Sequence, residues 1–190
     1  MLAFFSRFFP GAAPIREAAS ALYLKAVGKA RDPAFYRSLQ VPDTVDGRFD
    51  MVVIHTGLAI RRLREAPDGD VARVVAQEMF DQMFTDFDRS LREMGVGDMG
   101  VGPRIKKMGQ AWYARMGAYD RGIDAALGGD RAVLEAALRE NLYRAHPEVS
   151  AAPAMADYLL RADAHLKAQD IGTMAKGGID WRCDVVAGGS

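Results

Sequence analysis

Apolar residues recur along most of this 190-residue chain at the three- and four-residue spacing of an α-helix, without the alternation typical of β-strands. The clearest pattern lies in residues 71–94, where five large apolar side chains follow one another in steps of four, three, four and three. They are Phe80, Phe84, Phe87, Leu91 and Met94. Polar residues occupy the opposite side of this predicted helix, as expected for a helix with one buried face. The pattern predicts an all-α protein.

Capping and helix-breaking residues divide this pattern into separate helices. Asp32 and Asp130 are suitable N-cap residues, a third helix follows Asp43 and Thr44, and prolines suit the first turns of several segments. Residues 95–102 are expected to form a glycine-rich connection, with Gly95 as the left-handed residue that ends the preceding helix. We expect helices over residues 14–30, 33–39, 45–65, 71–94, 103–127, 131–145 and 153–169.

The chain is long enough to bury a core without disulfides, and it contains neither an internal repeat nor a domain linker. We therefore predict a single-domain bundle of about six to seven helices. Its expected parts are an apolar N-terminal arm (residues 1–13), a helical domain (14–170) and a C-terminal tail (171–190). The glycines of the tail predict loose order there.

Composition argues against several classes of protein. Lys plus Arg and Asp plus Glu both number 25, so the formal charge is zero, which argues against a DNA-binding protein. The single Cys183 cannot form an intrachain disulfide, and none of the three histidines lies at metal-ligand spacing from another His or Cys. The longest apolar stretch, residues 51–60, is shorter than the roughly 20 residues of a membrane span. We expect a cytoplasmic protein without a metal or cofactor.

Three further patterns suggest chemistry but lack the context it requires. Residues 95–100 match the dinucleotide-binding spelling G-x-G-x-x-G, yet a predicted helix precedes them instead of a strand. Asp81 and Asp88 share a helix face, but the Glu-x-x-His pairs of di-iron bundles do not occur, so a solvated, ion-paired face is expected. His55 lies among apolar residues, which predicts a core histidine whose polar atoms are hydrogen-bonded.

Three stretches of the sequence are distinctive in combination. They are FYR at 35–37 with VPDTVDGRFD at 41–50, MFDQMFTDFDRSLREMGVGD at 79–98, and PRIKKM at 103–108 with WYAR at 112–115. In this order, across about residues 30–145, the chain resembles the ubiquinol–cytochrome c chaperone family. Its short length is similar to that of the bacterial branch of the family.

The resemblance implies an all-helical assembly factor for the cytochrome bc1 complex of the respiratory chain. Mitochondrial members of the family bind newly made cytochrome b and work with a small partner protein near the ribosome exit. The family implies no catalytic residues and no cofactor. We therefore expect an assembly chaperone whose partners are cytochrome b and a small protein or the ribosome.

A cluster of cations marks the start of the fifth predicted helix. Arg104, Lys106 and Lys107 lie in its first two turns, where the helix dipole disfavours each cation by about 0.3–1 kcal/mol. This placement suggests an anionic partner, such as an acidic peptide, lipid head groups or RNA phosphates. The alternative is a solvated basic patch offset by Glu93 and Asp98. The resemblance favours a partner contact.

Methionine is frequent, with 10 residues, and Met94 and Met99 flank the glycine-rich connection. Because Met is flexible and polarisable, surfaces that bind varied apolar partners often contain it. Core packing is the expected role of Met108 and Met116. The predicted partner-binding residues are Met94, Asp98, Met99, Arg104, Lys106 and Lys107.

The apolar N-terminus has two interpretations. Phe4, Phe5, Phe8 and Phe9 surround Arg7, and they suit an amphipathic turn that enters a bilayer interface. Such a turn would make peripheral contact with the inner face of the cytoplasmic membrane. The alternative is an arm that folds onto its own domain or onto a second copy of the chain.

Two functions follow from these patterns. The first is an assembly chaperone that holds cytochrome b, or a segment of it, while the bc1 complex is built. The second is a helical bundle that binds an apolar ligand such as haem, quinone or lipid, because the aromatic and Met content suits an apolar pocket. An enzyme is disfavoured, since the sequence presents no converging set of polar residues.

Overall fold

The computed structural model describes residues 12–146 and 148–186. Within these ranges every regular element is an α-helix, which confirms the predicted all-α, single-domain bundle. Six helices have ten or more residues, and the other two have five and four. In chain order they are α1 (Ala12–Ala30), α2 (Pro33–Arg37), α3 (Val45–Leu63), α4 (Val71–Glu93), α5 (Asp98–Leu127), α6 (Ala132–Asn141), α7 (Ala152–Lys167) and α8 (Ile171–Met174).

Side-chain caps determine where three of these helices begin. Asp32, Thr44 and Asp70 precede α2, α3 and α4, and each side-chain oxygen accepts a hydrogen bond from a backbone N–H two or three residues later. The donor–acceptor distances are 3.0, 3.1 and 2.7 Å. These bonds satisfy N–H groups that lack a partner within the helix. The predicted N-cap at Asp32 is confirmed, and α3 begins directly after Thr44 as expected.

The end of α4 agrees with the sequence pattern. Gly95 has φ +83°, and its N–H donates to the Arg92 carbonyl at 2.9 Å, while the Val96 N–H donates to the Leu91 carbonyl at 3.0 Å. These two bonds form a Schellman motif, in which a left-handed residue ends the helix. The prediction for Gly95 is confirmed, and the dinucleotide-binding interpretation of residues 95–100 loses its context.

The start of α5 differs from the prediction. We expected the helix to open at Pro103, but α5 begins at Asp98 and contains Pro103 in its interior. Burial of Val101 in this extra turn stabilises it. Proline marks a favourable helix start locally, but here the helix extends in front of it, where Val101 is buried.

Asp130 does not cap α6 as predicted. Gly129 has φ +100° and the Asp130 N–H donates to the Ala125 carbonyl at 2.9 Å, so both residues complete the end of α5. Arg131 occupies the N-cap position of α6 without a side-chain cap bond. The helix also ends at Asn141, four residues before the predicted boundary.

The expected loose tail is ordered where the structure describes it. Residues 171–174 form α8, and Ile179, Trp181 and Val185 are buried. Gln169 holds the segment through two bonds to Asp180: its Nε2 donates to the carbonyl at 2.8 Å, and its Oε1 accepts from the N–H at 2.9 Å. The prediction failed because glycine content was weighted above the apolar residues between the glycines.

The central helix is α3, as its mostly apolar circumference predicted. It packs against α1, α4, α5, α7 and α8, and its buried residues reach from Gly47 to Leu63. Both α1 and α5 pack on α3 and α4. The four helices α1, α3, α4 and α5 therefore surround one open surface groove, which is described next.

Candidate partner-binding groove

An open groove of about 660 Å³ lies among α1, α3, α4 and α5. Its floor is apolar, and the Phe49 and Phe87 rings meet there with centroids 4.9 Å apart. The volume falls in the range of sites that bind ligands or segments of other proteins. The apolar lining residues are Val27, Val45, Phe49, Val52, Phe87, Leu91, Met94, Met108 and Ala111.

Helical spacing explains why these residues share the groove. Phe87, Leu91 and Met94 belong to the apolar stripe that the sequence predicted for α4. Val45, Phe49 and Val52 recur in the same three- and four-residue steps on α3. Residues at this spacing lie on one face of a helix. The apolar stripes of α3 and α4 therefore meet beneath the groove, and part of the α4 stripe lines the groove.

Three cations of the groove have no internal counterion. Arg31 lies at the end of α1, and Arg104 and Lys107 lie on α5. Among the described residues, no carboxylate oxygen comes within 4.0 Å of any of their charged nitrogens. Arg48, by contrast, pairs with Asp43 at 2.6 Å.

The carboxylates of the groove are already engaged. Asp46 pairs with Arg144 at 3.2 Å. Asp86 forms an ion pair with Arg89 and accepts a hydrogen bond from the Tyr23 hydroxyl at 2.9 Å. Because these carboxylates have their own partners, the three unpaired cations leave the groove with positive potential.

A buried carboxylate holds one side of the groove in place. Asp50 of α3 is only 1% exposed, and it pairs with Arg115 of α5 at 2.6 Å and with Arg144 beyond α6. Burial raises the pKa of Asp50, while the two arginines act in the opposite direction. Arg115 also lies over the Phe49 ring, 5.4 Å from its centroid. The guanidinium groups of Arg115 and Arg144 are thereby fixed as parts of the groove lining.

The structure brings together half of the predicted partner-binding residues. Met94, Arg104 and Lys107 all line the groove. Lys106 lies on α5 but outside the lining. Their role in binding stays a prediction.

The remaining predicted contacts lie elsewhere. Asp98 forms an ion pair with Arg92, and Met99 is 96% exposed on the first turn of α5. The proposed membrane contacts are outside the described residues. These are Phe4, Phe5, Phe8 and Phe9.

Several groove residues carried no recognisable signal in the sequence. Arg31 directly follows α1 and Val45 is the first residue of α3, positions typical of ordinary surface residues, while the pattern predicts a core position for Phe49. Their common position arises only when α1 and α3 pack side by side. Only the structure shows that the apolar side chain of Val45 is 69% exposed.

His55 is the core histidine that the sequence predicted. It is fully buried, its Nδ1 donates to the Met51 carbonyl at 2.8 Å, and its Nε2 accepts from the Tyr158 hydroxyl at 2.7 Å. Burial lowers the pKa of His55 to about 4, so the ring is neutral at physiological pH. Across residues 12–146 and 148–186, no cluster of three or more potential metal-ligating side chains occurs.

On the acidic face of α4, Asp88 is ion-paired as expected, whereas Asp81 makes a hydrogen bond. Asp81 accepts a hydrogen bond from Gln77 at 3.0 Å, and Asp88 pairs with Arg92 at 2.7 Å.

In the part of the chain that the structure describes, no helix combines the length and apolar character needed to cross a bilayer.

An all-α bundle with an open, apolar-floored and positively charged groove has the features of a binding protein. The family model described as ubiquinol–cytochrome C chaperone matches residues 37–181, which is most of the chain. The chain belongs to this family, and the resemblance found in the sequence is confirmed. The matched range contains the groove residues of α3, α4 and α5.

Individual relatives agree with this assignment. The ubiquinol-cytochrome-c reductase complex assembly factor 1 of Xenopus laevis is 25% identical over 128 residues, 67% of this chain and 61% of the frog protein. The Mus musculus protein of the same name is 26% identical over 109 residues, 57% of this chain and 36% of the mouse protein. The chain therefore spans less than two thirds of the length of either relative.

A solved structure shares the whole architecture. The crystal structure of the Cbp3 homolog from Brucella abortus is similar over 97% of both chains, with a TM-score of 0.80 and 34% sequence identity.

Proposed function

We propose that this protein is an assembly chaperone of the ubiquinol–cytochrome c reductase (bc1) complex and that its client is cytochrome b or a related subunit. Family membership and the names of the frog and mouse relatives support the assembly role. The observation that carries the proposal is the groove, whose apolar floor lies beside three cations that have no carboxylate partner in residues 12–146 and 148–186.

The groove suits a client that is apolar and not yet assembled. Covering the groove removes the exposed side chains of Val45 and Met94 from water together with the apolar surface of the client, which favours association. Met94 and Met108 contribute flexible, polarisable side chains that adapt to different apolar surfaces. Release then requires only that the assembling complex offer the client a larger apolar interface.

We propose that the protein acts by binding and not by catalysis. The carboxylates of the groove are paired with arginines or a tyrosine hydroxyl, which leaves them poorly placed to transfer protons. Peripheral contact with the cytoplasmic membrane and a small protein or ribosomal partner stay part of the proposal, because the client is made at a membrane.

Site-specific photo-crosslinking in respiring cells of the source organism tests the client. A photoreactive phenylalanine analogue would replace Met94 in the groove, or Leu127, which is 61% exposed near the far end of α5. We expect cytochrome b among the products from position 94 and its absence from position 127. Recovery of no bc1 subunit at position 94 would contradict the proposal, and so would equal recovery at both positions.

A ligand-binding bundle is the second candidate, because the volume and apolar floor of the groove also fit a small amphiphile. Native mass spectrometry of the purified protein, and absorbance after addition of haem, test it. A stoichiometric haem, quinone or lipid, combined with no crosslink to a bc1 subunit, would favour this candidate over the chaperone.

A further inference from the structure

We propose that the groove binds one α-helix of its client, and that this helix directs apolar side chains to the floor and carboxylates to the cationic edges. The inference rests on the proposed chaperone function and specifies the kind of segment recognised. Its evidence is the charge of the groove, the backbone of its walls and the exposure of its rim.

The charge of the groove requires an anionic occupant. Arg31, Arg104 and Lys107 have no carboxylate partner among the described residues, while Asp46 and Asp86 are engaged with other groups. A segment with carboxylates therefore gains attraction to the unpaired cations and meets little repulsion. A cationic segment would be repelled, which makes charge a criterion of selection.

The cations come from two different helices. Arg31 directly follows α1, whereas Arg104 and Lys107 lie one turn apart on α5, and both helices pack on α3 and α4. A helix with an apolar stripe between two acidic flanks can address cations on both helices. A single lipid presents one anionic head group at one end of its apolar chains, so it matches this arrangement less well.

The walls of the groove favour a helix over an extended strand. Most of the lining residues belong to α1, α3, α4 and α5, whose backbone N–H and C=O groups bond within their own helices apart from the terminal turns. The groove therefore offers no sheet edge to which an extended peptide could add main-chain hydrogen bonds. An occupant must satisfy its own backbone, and a helix does so internally.

The rim of the groove exposes apolar side chains that a partner would cover. Val45 is 69% exposed and Met94 is 58% exposed, and both line the groove. Val45 is the first residue of α3, and Met94 is the C-cap residue of α4. An amphipathic helix with apolar residues at i, i+3, i+4 and i+7 would cover these side chains.

Designed peptides test the inference directly. The first is a helical peptide of about five turns, roughly 18 residues, with a leucine stripe flanked by glutamates. The second carries lysines in place of the glutamates, and the third is a scrambled form of the first that loses the stripe. Fluorescence anisotropy with the full-length protein should give measurable binding only for the first, and added salt should weaken it.

A charge swap provides the decisive comparison. The double variant Arg104→Glu, Lys107→Glu should bind the glutamate peptide about tenfold more weakly and should gain binding of the lysine peptide. The control variant Arg37→Glu, Arg121→Glu reverses two exposed cations outside the groove and should bind as wild type does. Circular dichroism melts establish that both variants are folded.

Three results would overturn the inference. These are equal binding of the glutamate and lysine peptides, equal binding of the scrambled peptide, and binding of wild type to anionic lipid vesicles with no binding to the glutamate peptide. The last result would assign the groove to lipid.

Photo-crosslinking in the double variant separates this inference from the proposed function. If wild type and the double variant capture cytochrome b equally, the inference that the groove recognises an acidic helix is wrong, and the proposed chaperone function stands. If the glutamate peptide binds with the predicted charge dependence but cytochrome b is never captured, the proposed client is wrong and the preference for an acidic helix stands.

Discussion

His55 connects the central helix to the C-terminal half of the fold. Its ring makes edge-to-face contacts with Phe35 and Trp181, at ring-centroid distances of 5.1 and 5.3 Å. It also accepts a hydrogen bond from the Tyr158 hydroxyl. The Met51 carbonyl can only accept, so Nδ1 carries the proton and Nε2 accepts from the tyrosine. A second proton on the ring would place a positive charge in the core, which burial disfavours.

We expect His55 to make stability depend on pH. Its pKa is about 4 in the folded protein and near 6.5 when unfolded, so the unfolded chain binds more protons between these values. The free energy of unfolding should therefore fall as pH decreases through that window. Wild type should lose about 2–3 kcal/mol more than His55→Gln between pH 7 and 4.5, measured by urea unfolding. Parallel pH profiles for the two proteins would disprove this role.

Asp50 is a second buried titratable residue, and replacing its carboxylate should be costly. Asp50→Asn leaves Arg115 and Arg144 without their common carboxylate, so unfolding free energy should drop by about 3–5 kcal/mol. Asp46→Asn is the matched control, because Asp46 also pairs with Arg144 but is 82% exposed at its side chain. That variant should melt close to wild type. Similar losses in both would mean that burial does not decide the effect.

At the scale of elements, α5 depends on small residues where it meets its neighbours. A Cβ on Gly122 would lie 2.8 Å from the Leu134 Cα of α6, a backbone atom that cannot rotate away. A Cβ on Gly109, elsewhere on α5, would find no atom nearer than 3.9 Å. The same residue type therefore has a packing role at one position and none at the other.

Alanine substitutions should separate these two roles. Gly122→Ala forces α5 away from α6 and should cost about 1–3 kcal/mol of unfolding free energy. Gly109→Ala should be neutral or stabilise by up to about 1 kcal/mol, because alanine favours the helix. Urea unfolding of both variants measures the difference, and a stable Gly122→Ala protein would show that α6 can shift without loss.

The C-terminal segment should contribute to stability as a core element does. Trp181→Ala removes a buried ring that packs against His55 and should cost about 3–5 kcal/mol. Arg182→Ala changes the neighbouring residue, whose side chain is 90% exposed, and should leave the melting temperature unchanged. If Trp181→Ala also melts as wild type does, the segment packs without stabilising the bundle.

At the scale of the whole molecule, the groove cations proposed to bind the client are not residues that stabilise the fold. Arg104 and Lys107 have no ion-pair partner within the described part of the chain, so reversing them removes no stabilising contact. The melting temperature of the double charge-reversal variant should stay within a few degrees of wild type.

Cells that carry only this variant should assemble less bc1 complex. We expect lower haem b absorbance in their membranes, with the variant protein itself present at the normal level. Arg37→Glu, Arg121→Glu is again the control and should support normal assembly. Normal haem b content in cells with the groove variant would place the working surface elsewhere on the molecule.

Most helices could be predicted from local features of the sequence. The three- and four-residue apolar periodicity identified α3 and α4, and Asp32, Thr44 and Gly95 marked boundaries because their caps form within a few residues of chain. Where distant contacts intervened, local rules failed. Val101 extended α5 in front of Pro103, and Trp181 ordered a segment that its glycines predicted to be loose.

The sequence by itself determined the all-α class, the family and three of the groove residues: Met94, Arg104 and Lys107. Periodicity, caps and family motifs are properties of short stretches of chain. Only the tertiary structure decided that Arg31 and Val45 join them and that Met99 and Lys106 do not line the groove. A groove between α1, α3, α4 and α5 exists only once these helices pack, and packing, not local sequence, determines which cations are left without a partner.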